Sequence, residues 1–570
     1  MDPRKVDVES NIQINHLQKR KQIRRVWNSL TSFQKNIILM LFLFSLLVYY
    51  LFFTQIISIS DSALPENQAI DRIFTDYNNL FEEQNENVQT SEFQSQTSRS
   101  YPPITPTRNH ISESILTDRQ KAVVSAMKHA WNGYVEYAWG KDMLKPISRS
   151  SQEWFGLGLT LIDALDTLFI MNLTSEFKQA RDWVQHSLNF DRNIFVNLFE
   201  TTIRVLGGLL SSYYLSRDPI FLEKARILGD KLMPSFNTPS GIPRSDVNLH
   251  TGVSSDPKWD KHSTVSEVTS IQLEFKYLSY LTGDKMYSDA VERVMIQIQS
   301  LPKTDFLVPQ FISADTGDFK PGARTLTMGS RADSYYEYLL KQWIMAGKTD
   351  DRYREWYLQT VDGVTKRLLR YSEPSRLALI GEIVNNQFSP KMDHLVCFYP
   401  GTLTLGYYHG LSPEHLILGK ELAYTCYQMY ARTATKLSPE IVYFNLQSGG
   451  GEDIIIRDLD AHNLLRPETV ESLYYLYKVT GDRIYQEWGW EIFNAFEKIT
   501  RIATGGYSSI NNVRSETHPH YRDLMESFFL GETLKYLFLL FSEDESLLPL
   551  NSILFNTEAH IIPILQELNN

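Results

Sequence analysis

From about Ile115 onward, apolar residues recur at three- and four-residue spacing, with Leu, Tyr and Trp filling many of those positions. That period belongs to amphipathic helices; side chains on a strand would alternate every second residue. The helices are punctuated by a short mark: a Tyr/Leu-rich helix end, a polar turn with an acid, then an aromatic or Leu. It appears at Ser216-Arg-Asp-Pro-Ile-Phe, Thr282-Gly-Asp-Lys-Met-Tyr, Lys348-Thr-Asp-Asp-Arg-Tyr and Thr480-Gly-Asp-Arg-Ile-Tyr. The acids at 218, 284, 350 and 482 are 66, 66 and 132 residues apart, and Leu411-Ser-Pro-Glu stands where the missing mark should fall. Looser copies at Gly140-Lys-Asp and Ser542-Glu-Asp raise the count to seven.

A period near 66 residues fits two helices and two connections, a hairpin whose apolar face needs a neighbour to cover it. Seven such hairpins predict an all-α toroid over residues 113–570. Closure is favoured over an open structural solenoid because the candidate chemical residues are scattered over nearly every unit, and a ring brings them to one pocket.

The segments before this region read differently. Residues 1–35 carry eight Lys/Arg against Asp2, Asp7 and Glu9, and residues 36–60 carry no charge. At about 1.5 Å per residue, twenty-odd apolar residues span a hydrocarbon core of about 30 Å. A basic flank of this kind stays cytosolic, so 36–60 is expected to be a transmembrane signal anchor with the rest of the chain lumenal. Residues 61–112 are rich in Asn, Gln, Ser, Thr and Glu, a composition expected of a disordered stem. Asn172-Leu-Thr is the one glycosylation sequon, as a lumenal domain allows.

Composition narrows the function. A formal charge of -11 without a Lys/Arg stripe argues against a nucleic-acid binder. Two cysteines cannot build a Cys-type zinc module or a disulfide scaffold.

Carboxylates then mark the places where helices of successive hairpins meet their connections. Asn197-Leu-Phe-Glu-Thr-Thr-Ile-Arg-Val-Leu-Gly-Gly sets Glu200 and Arg204 four apart, on one helical face. Asp333 opens a helix in Arg331-Ala-Asp-Ser-Tyr-Tyr-Glu, and Glu468 follows a helix-starting Pro in Leu465-Arg-Pro-Glu-Thr-Val-Glu-Ser. Met525-Glu-Ser-Phe-Phe-Leu-Gly-Glu supplies Glu526, Phe528 and Glu532, and Phe555-Asn-Thr-Glu-Ala-His comes near the end. Any one of these acids could be a cap. Their recurrence at one place in the hairpin is what composition does not predict.

Together with Met392-Asp-His-Leu-Val-Cys-Phe, these strings resemble the class I α1,2-mannosidases (glycoside hydrolase family 47) over residues 119–563. The resemblance implies an (αα)7 barrel. It also implies a Ca²⁺-dependent, inverting enzyme that trims terminal α1,2-mannose from high-mannose N-glycans. Inversion requires acid and base on opposite faces of the sugar, about 6.5–9.5 Å apart with room for water. By the resemblance Glu200 is the general acid acting through a water, Glu468 the general base and Asp333 the other catalytic carboxylate. Which proton Asp333 and Glu468 each carry stays open in the sequence.

The resemblance further assigns Arg204, His394, Arg466, Glu526, Phe528, Glu532 and Glu558 to the sugar pocket, Thr557 to the Ca²⁺ and Cys397 with Cys426 to a disulfide. Thr557 alone is too few ligands, because Ca²⁺ takes six to eight oxygens. Arg331 matches the arginine of the endoplasmic-reticulum branch, which implies removal of one mannose from a nine-mannose glycan by a monomeric lumenal domain. A Golgi-type trimming enzyme, a degradation-promoting mannosidase and a mannose lectin without turnover are the rivals. The absence of a long C-terminal extension argues against the second of these.

Overall fold

The computed structural model describes residues 116–565. The expected cytosolic tail, anchor and stem therefore lie outside the described residues. Among the described residues no helix is long and apolar enough to cross a membrane.

Helices dominate: α1 (Asp118–Ala138), α2 (Leu159–Asp163), α3 (Leu165–Ile170), α4 (Thr174–His186), α5 (Gly207–Ser216), α6 (Pro219–Leu232), α7 (Val265–Thr269) and α8 (Gln272–Thr282). They are followed by α9 (Lys285–Ser300), α10 (Asp333–Met345), α11 (Asp351–Arg367), α12 (Tyr399–Tyr408), α13 (Pro413–Ala431), α14 (Glu468–Thr480), α15 (Ile484–Ile499) and α16 (Leu534–Leu540). Two kinds alternate. In α10 every residue from 334 to 345 is buried, and α16 is buried throughout. By contrast α11 and α9 bury a single stripe. A helix apolar on all sides needs cover on all sides, whereas one apolar stripe suits an outer layer.

The packing order follows from that difference. The inner helices α3, α5, α8, α10, α12, α14 and α16 pack each on the next, and the turn entering α16 (Phe529–Thr533) packs back on α2 and α3. Each inner helix has an outer partner: α4, α6, α9, α11, α13, α15 and, for α16, α1. This is the connectivity a closed ring of seven hairpins requires. The recurring acids are caps of the outer helices. Asp218, Asp284, Asp350 and Asp482 accept from the N–H of Ile220, Met286, Arg352 and Ile484 at 2.9–3.2 Å.

Two of the seven marks are not hairpin turns. Gly140-Lys-Asp follows outer helix α1, and there Asp142, fully buried, accepts the backbone N–H of Trp154, Phe155, Gly156, Leu157 and Leu159. Ser542-Glu-Asp follows α16, whose outer partner is the chain's first described helix. The turn between α3 and α4 passes through Asn172 instead and has no capping acid. The number of hairpins stands at seven, but one of them is made from the two ends of the ring.

Long connections carry the chain from each outer helix to the next inner one and hold the short two- and three-stranded sheets. The inner-helix N-termini therefore open beneath these connections. A final hairpin, Ile553–Phe555 paired with Ile561–Pro563, packs against α5, α8 and α10 and pushes its turn, residues 556–560, into the ring. Cys397 and Cys426 are bonded with Cα atoms 5.9 Å apart, tying the entry of α12 to α13.

Candidate active site

Asn556 fixes the turn at the centre of the ring. Its side-chain amide donates to the Ile203 carbonyl (2.9 Å) and to Glu274 (2.6 Å), and its Oδ1 accepts from the N–H of Glu558 and His560. The fit leaves no slack, because a Cβ on Gly207 would stand 2.7 Å from Asn556 Nδ2. Thr557 and Glu558 are thereby presented at the tip.

Glu200 ends a short turn (Leu198–Glu200) capped by Asn197, whose Oδ1 accepts the Glu200 N–H at 2.9 Å. The helix then widens to a π-type turn over Thr201–Leu206, and Arg204 Nε reaches Glu200 Oε2 at 2.8 Å. The same guanidinium hydrogen-bonds Glu558 and Ser527 Oγ. One arginine thus joins the candidate acid to the central turn, as the four-residue spacing suggested.

On the far side, Glu468 is the first residue of α14. His394 Nδ1 lies 2.8 Å from its Oε2, and Arg466 Nη1 lies 3.8 Å from its Oε1. Burial works against the charged carboxylate, but the hydrogen bond and charge from His394, with Arg466, outweigh it and hold Glu468 below its ordinary value. Asp333, first residue of α10, is driven the other way. Burial, with the negative charge of Glu337, Asp393 and Glu468, pushes it up to about 7, against the opposing bond from the Ser334 N–H. Near neutral pH Glu468 is therefore ionised, whereas Asp333 is in mid-titration and is protonated only at lower pH.

Phe528 lies between the two sides. The Arg204 and Arg466 guanidinium carbons stand 5.5 and 5.7 Å from its ring centre. Arg466 is itself anchored on Glu440 at 2.5 Å. Glu526 and Glu532 stand on either side of Phe528 in the chain, and burial raises both, with Glu558, Glu468 and Glu471 adding to the rise at Glu532. His394 is not exposed to the cleft. It is buried, its Nε2 meets Tyr430 Oη and Thr469 Oγ1, and it contributes by holding Glu468. Arg331 stands exposed at the rim, its guanidinium over Trp259 (4.8 Å) and Phe311 (5.5 Å).

The fit to Ca²⁺ can be tested on the donor set. Thr557 spends its N–H on Tyr338 Oη (3.3 Å), and among the described residues its hydroxyl and carbonyl engage no protein donor or acceptor. Next to it in the chain stands Glu558, which interacts with Glu532 and, through it, with Glu468 and Glu471. Arg204, on Glu558, and Lys341, 3.5 Å from the Asn556 carbonyl, are the cations of the same cluster. A setting in which carboxylates outnumber cations and the free donors are oxygens suits a hard divalent ion. Yet among the described residues no three Asp, Glu, His or Cys side chains converge closely enough to ligate one unaided. The residues fit an ion seated on Thr557 whose remaining ligands are waters held by the carboxylates.

The sequence-predicted residues Glu200, Arg204, Asp333, Arg466, Glu468, Glu526, Phe528, Glu532, Thr557 and Glu558 are thus joined in one cluster by contacts, chain adjacency or mutual electrostatic influence. Residues missed in the sequence are mostly their supports. Asp393 stood inside a quoted motif, next to His394. Glu440 and Asp163 carried no local signal, because their partners are 26 and 41 or more residues away in sequence.

A set of carboxylates in which one is kept ionised and another is raised is the kind of acid–base equipment that glycoside hydrolases use. The chain belongs to glycosyl hydrolase family 47, whose profile matches residues 126–564. It is 58% identical over 465 residues to the human endoplasmic reticulum mannosyl-oligosaccharide 1,2-alpha-mannosidase, covering 81% of this chain and 66% of that one. To the mannosyl-oligosaccharide 1,2-alpha-mannosidase MNS3 of Arabidopsis thaliana it is 45% identical, over 78% of this chain and 79% of that one. Among solved structures, the alpha-1,2-mannosidase from Trichoderma reesei aligns with a TM-score of 0.73 at 29% identity, over 78% of this chain and 99% of that one. The chain spans about two thirds of the length of the mammalian relatives.

Proposed function

We propose that this protein is an inverting α1,2-mannosidase that removes a terminal α1,2-linked mannose from high-mannose N-glycans, converting a nine-mannose glycan to one eight-mannose isomer. The observation that carries it is the split in proton affinity between Glu468 and Asp333 within a cluster that also holds Glu200 and Thr557. Identity to endoplasmic-reticulum mannosidases of mammals supports the substrate class.

In this reading Glu468, kept ionised by His394 and Arg466, takes the proton of the attacking water. Glu200, held in place by Arg204, returns a proton to the leaving oxygen through a water. Asp333, protonated up to about pH 7, is a second candidate donor, and its raised value is the specific observation in its favour. Phe528 offers an apolar face to the sugar ring, and Glu526, Glu532 and Glu558 bind hydroxyls or hold waters. Thr557 would hold the Ca²⁺; when bound, it supplies a Lewis acid that orients water and sugar hydroxyls. Arg331, at the rim, would meet an uncleaved arm of the glycan and set which mannose enters.

The same reading makes residues 36–60 a membrane anchor, with the (αα)7 catalytic domain at 113–570 in the endoplasmic-reticulum lumen and Asn172 available for glycosylation. Incubating the full chain with nine-mannose glycan, with and without chelator, tests the assignment. Release of one mannose, abolished by chelator and by Thr557→Ala, supports it. Release of three or four supports a Golgi-type activity, and binding without release supports a lectin.

A further inference from the structure

Behind the pocket runs an ionic chain that the proposed reaction does not use. Lys535 Nζ pairs with Asp166 Oδ1 at 2.9 Å, and His560 Nδ1 meets Asp166 Oδ2 at 2.9 Å. His560 Nε2 meets Asp163 Oδ1 at 3.0 Å, and all four side chains are at 0% exposure. Both imidazole nitrogens face carboxylate oxygens, so both donate and the ring is charged. Burying four charges is costly, and elsewhere in this ring apolar side chains close the same kind of contact.

The chain ends on the pocket. Ser527 Oγ donates to Asp163 Oδ2 and accepts from Arg204 Nη1 at 3.2 Å, while Arg204 Nη1 itself stands 3.6 Å from Asp163 Oδ2. Arg204 is the residue that holds Glu200 and Glu558. The groups come from three remote segments: the entry of the first inner helix, the entry of the last and the central turn. Their packing is closed, since a Cβ on Gly531 would stand 3.0 Å from the Asp163 carbonyl and one on Gly208 would stand 3.3 Å from the His560 ring.

We propose that Asp163 and Ser527 are positioning residues that fix the Arg204 guanidinium, so that Glu200 is held in the one orientation that serves proton transfer. The proposal rests on the mannosidase reading above. Asp166 provides the control, because it belongs to the same buried chain but lies on the side of His560 away from Arg204. Asp163→Asn, Ser527→Ala and Asp166→Asn are compared in the full chain with saturating Ca²⁺. Turnover on nine-mannose glycan, thermal midpoint and the Arg204 Nε–H resonance in arginine-labelled protein are recorded for each.

Asp163→Asn and Ser527→Ala are expected to lower kcat about tenfold or more with KM within about threefold, and to broaden or shift the Arg204 resonance. Asp166→Asn is expected to lower the thermal midpoint at least as much as Asp163→Asn, keep kcat within about threefold and leave that resonance in place. Equal loss of turnover in Asp163→Asn and Asp166→Asn would make the chain merely structural and overturn the proposal. So would an unchanged kcat and resonance in both Asp163→Asn and Ser527→Ala. If the unaltered protein released no mannose, the mannosidase reading would fall, and the Arg204 resonance would still decide whether the chain positions that side chain.

Discussion

Glu468 and Asp333 are both partly buried acids at helix starts, and their neighbours decide what each can do. Glu468 faces a histidine and an arginine; Asp333 faces three other acids. Glu468→Gln should therefore keep glycan binding and lose about 10²–10⁴-fold in turnover, the usual worth of a general base, as read from single-turnover mannose release. Asp333 makes a separate prediction for stability. Its folded value is raised to about 7 against an unfolded value near 3.9, so between about pH 4 and 7 the folded state binds the extra proton. Its contribution to stability is therefore fully present below about pH 4 and lost as pH rises toward 7. Asp333→Asn should remove that slope, gaining thermal midpoint relative to the unaltered protein at pH 7 compared with pH 4. Parallel midpoint curves for the two proteins would contradict the assignment. The sequence displayed both acids and, four residues after Asp333 on the same helix, Glu337, but not this division, because Asp393 and His394 reach them only through the fold.

At the level of elements, the motif Val205-Leu-Gly-Gly shows what was legible and what was not. The string was readable, but the reason for Gly207 lies in the final hairpin, whose Asn556 and His560 occupy the space its Cβ would need. The reason for Gly208 lies mainly in the Ile162 carbonyl, 2.8 Å from where its Cβ would stand. The acidic marks were legible because a cap is a local device: the carboxylate at 218, 284, 350 or 482 accepts an N–H two residues ahead. Gly140-Lys-Asp has the same local look and a different cause. Asp142 gathers five N–H groups of the segment 154–159, which no two-residue pattern reveals. Asp142→Ala would leave those buried donors without an acceptor and should destabilise the domain by about 3 kcal/mol or more, measured by chemical denaturation. A change below about 0.5 kcal/mol would mean that water replaces the carboxylate.

For the whole molecule, closure was inferable because motif residues scattered over nearly the entire length must meet to act. The way it is achieved was not. The chain enters the ring on an outer helix and leaves on an inner one, so the seventh hairpin pairs α1 with α16, remote in sequence. Thr117 Oγ1 donates to the Phe541 carbonyl at 3.0 Å, and Gln120 Nε2 donates to the Phe538 carbonyl at 3.3 Å across that seam. Deleting residues 1–138 should uncover the wholly apolar flank of α16 and give a protein that binds hydrophobic dyes and aggregates. A soluble, active truncation would show that the ring does not depend on this seam. The account as a whole rests on Glu200 and Glu468 acting from opposite faces of one sugar. Proton NMR of the first mannose released from nine-mannose glycan tests this most directly: the account predicts the β anomer first, and release of the α anomer would contradict it.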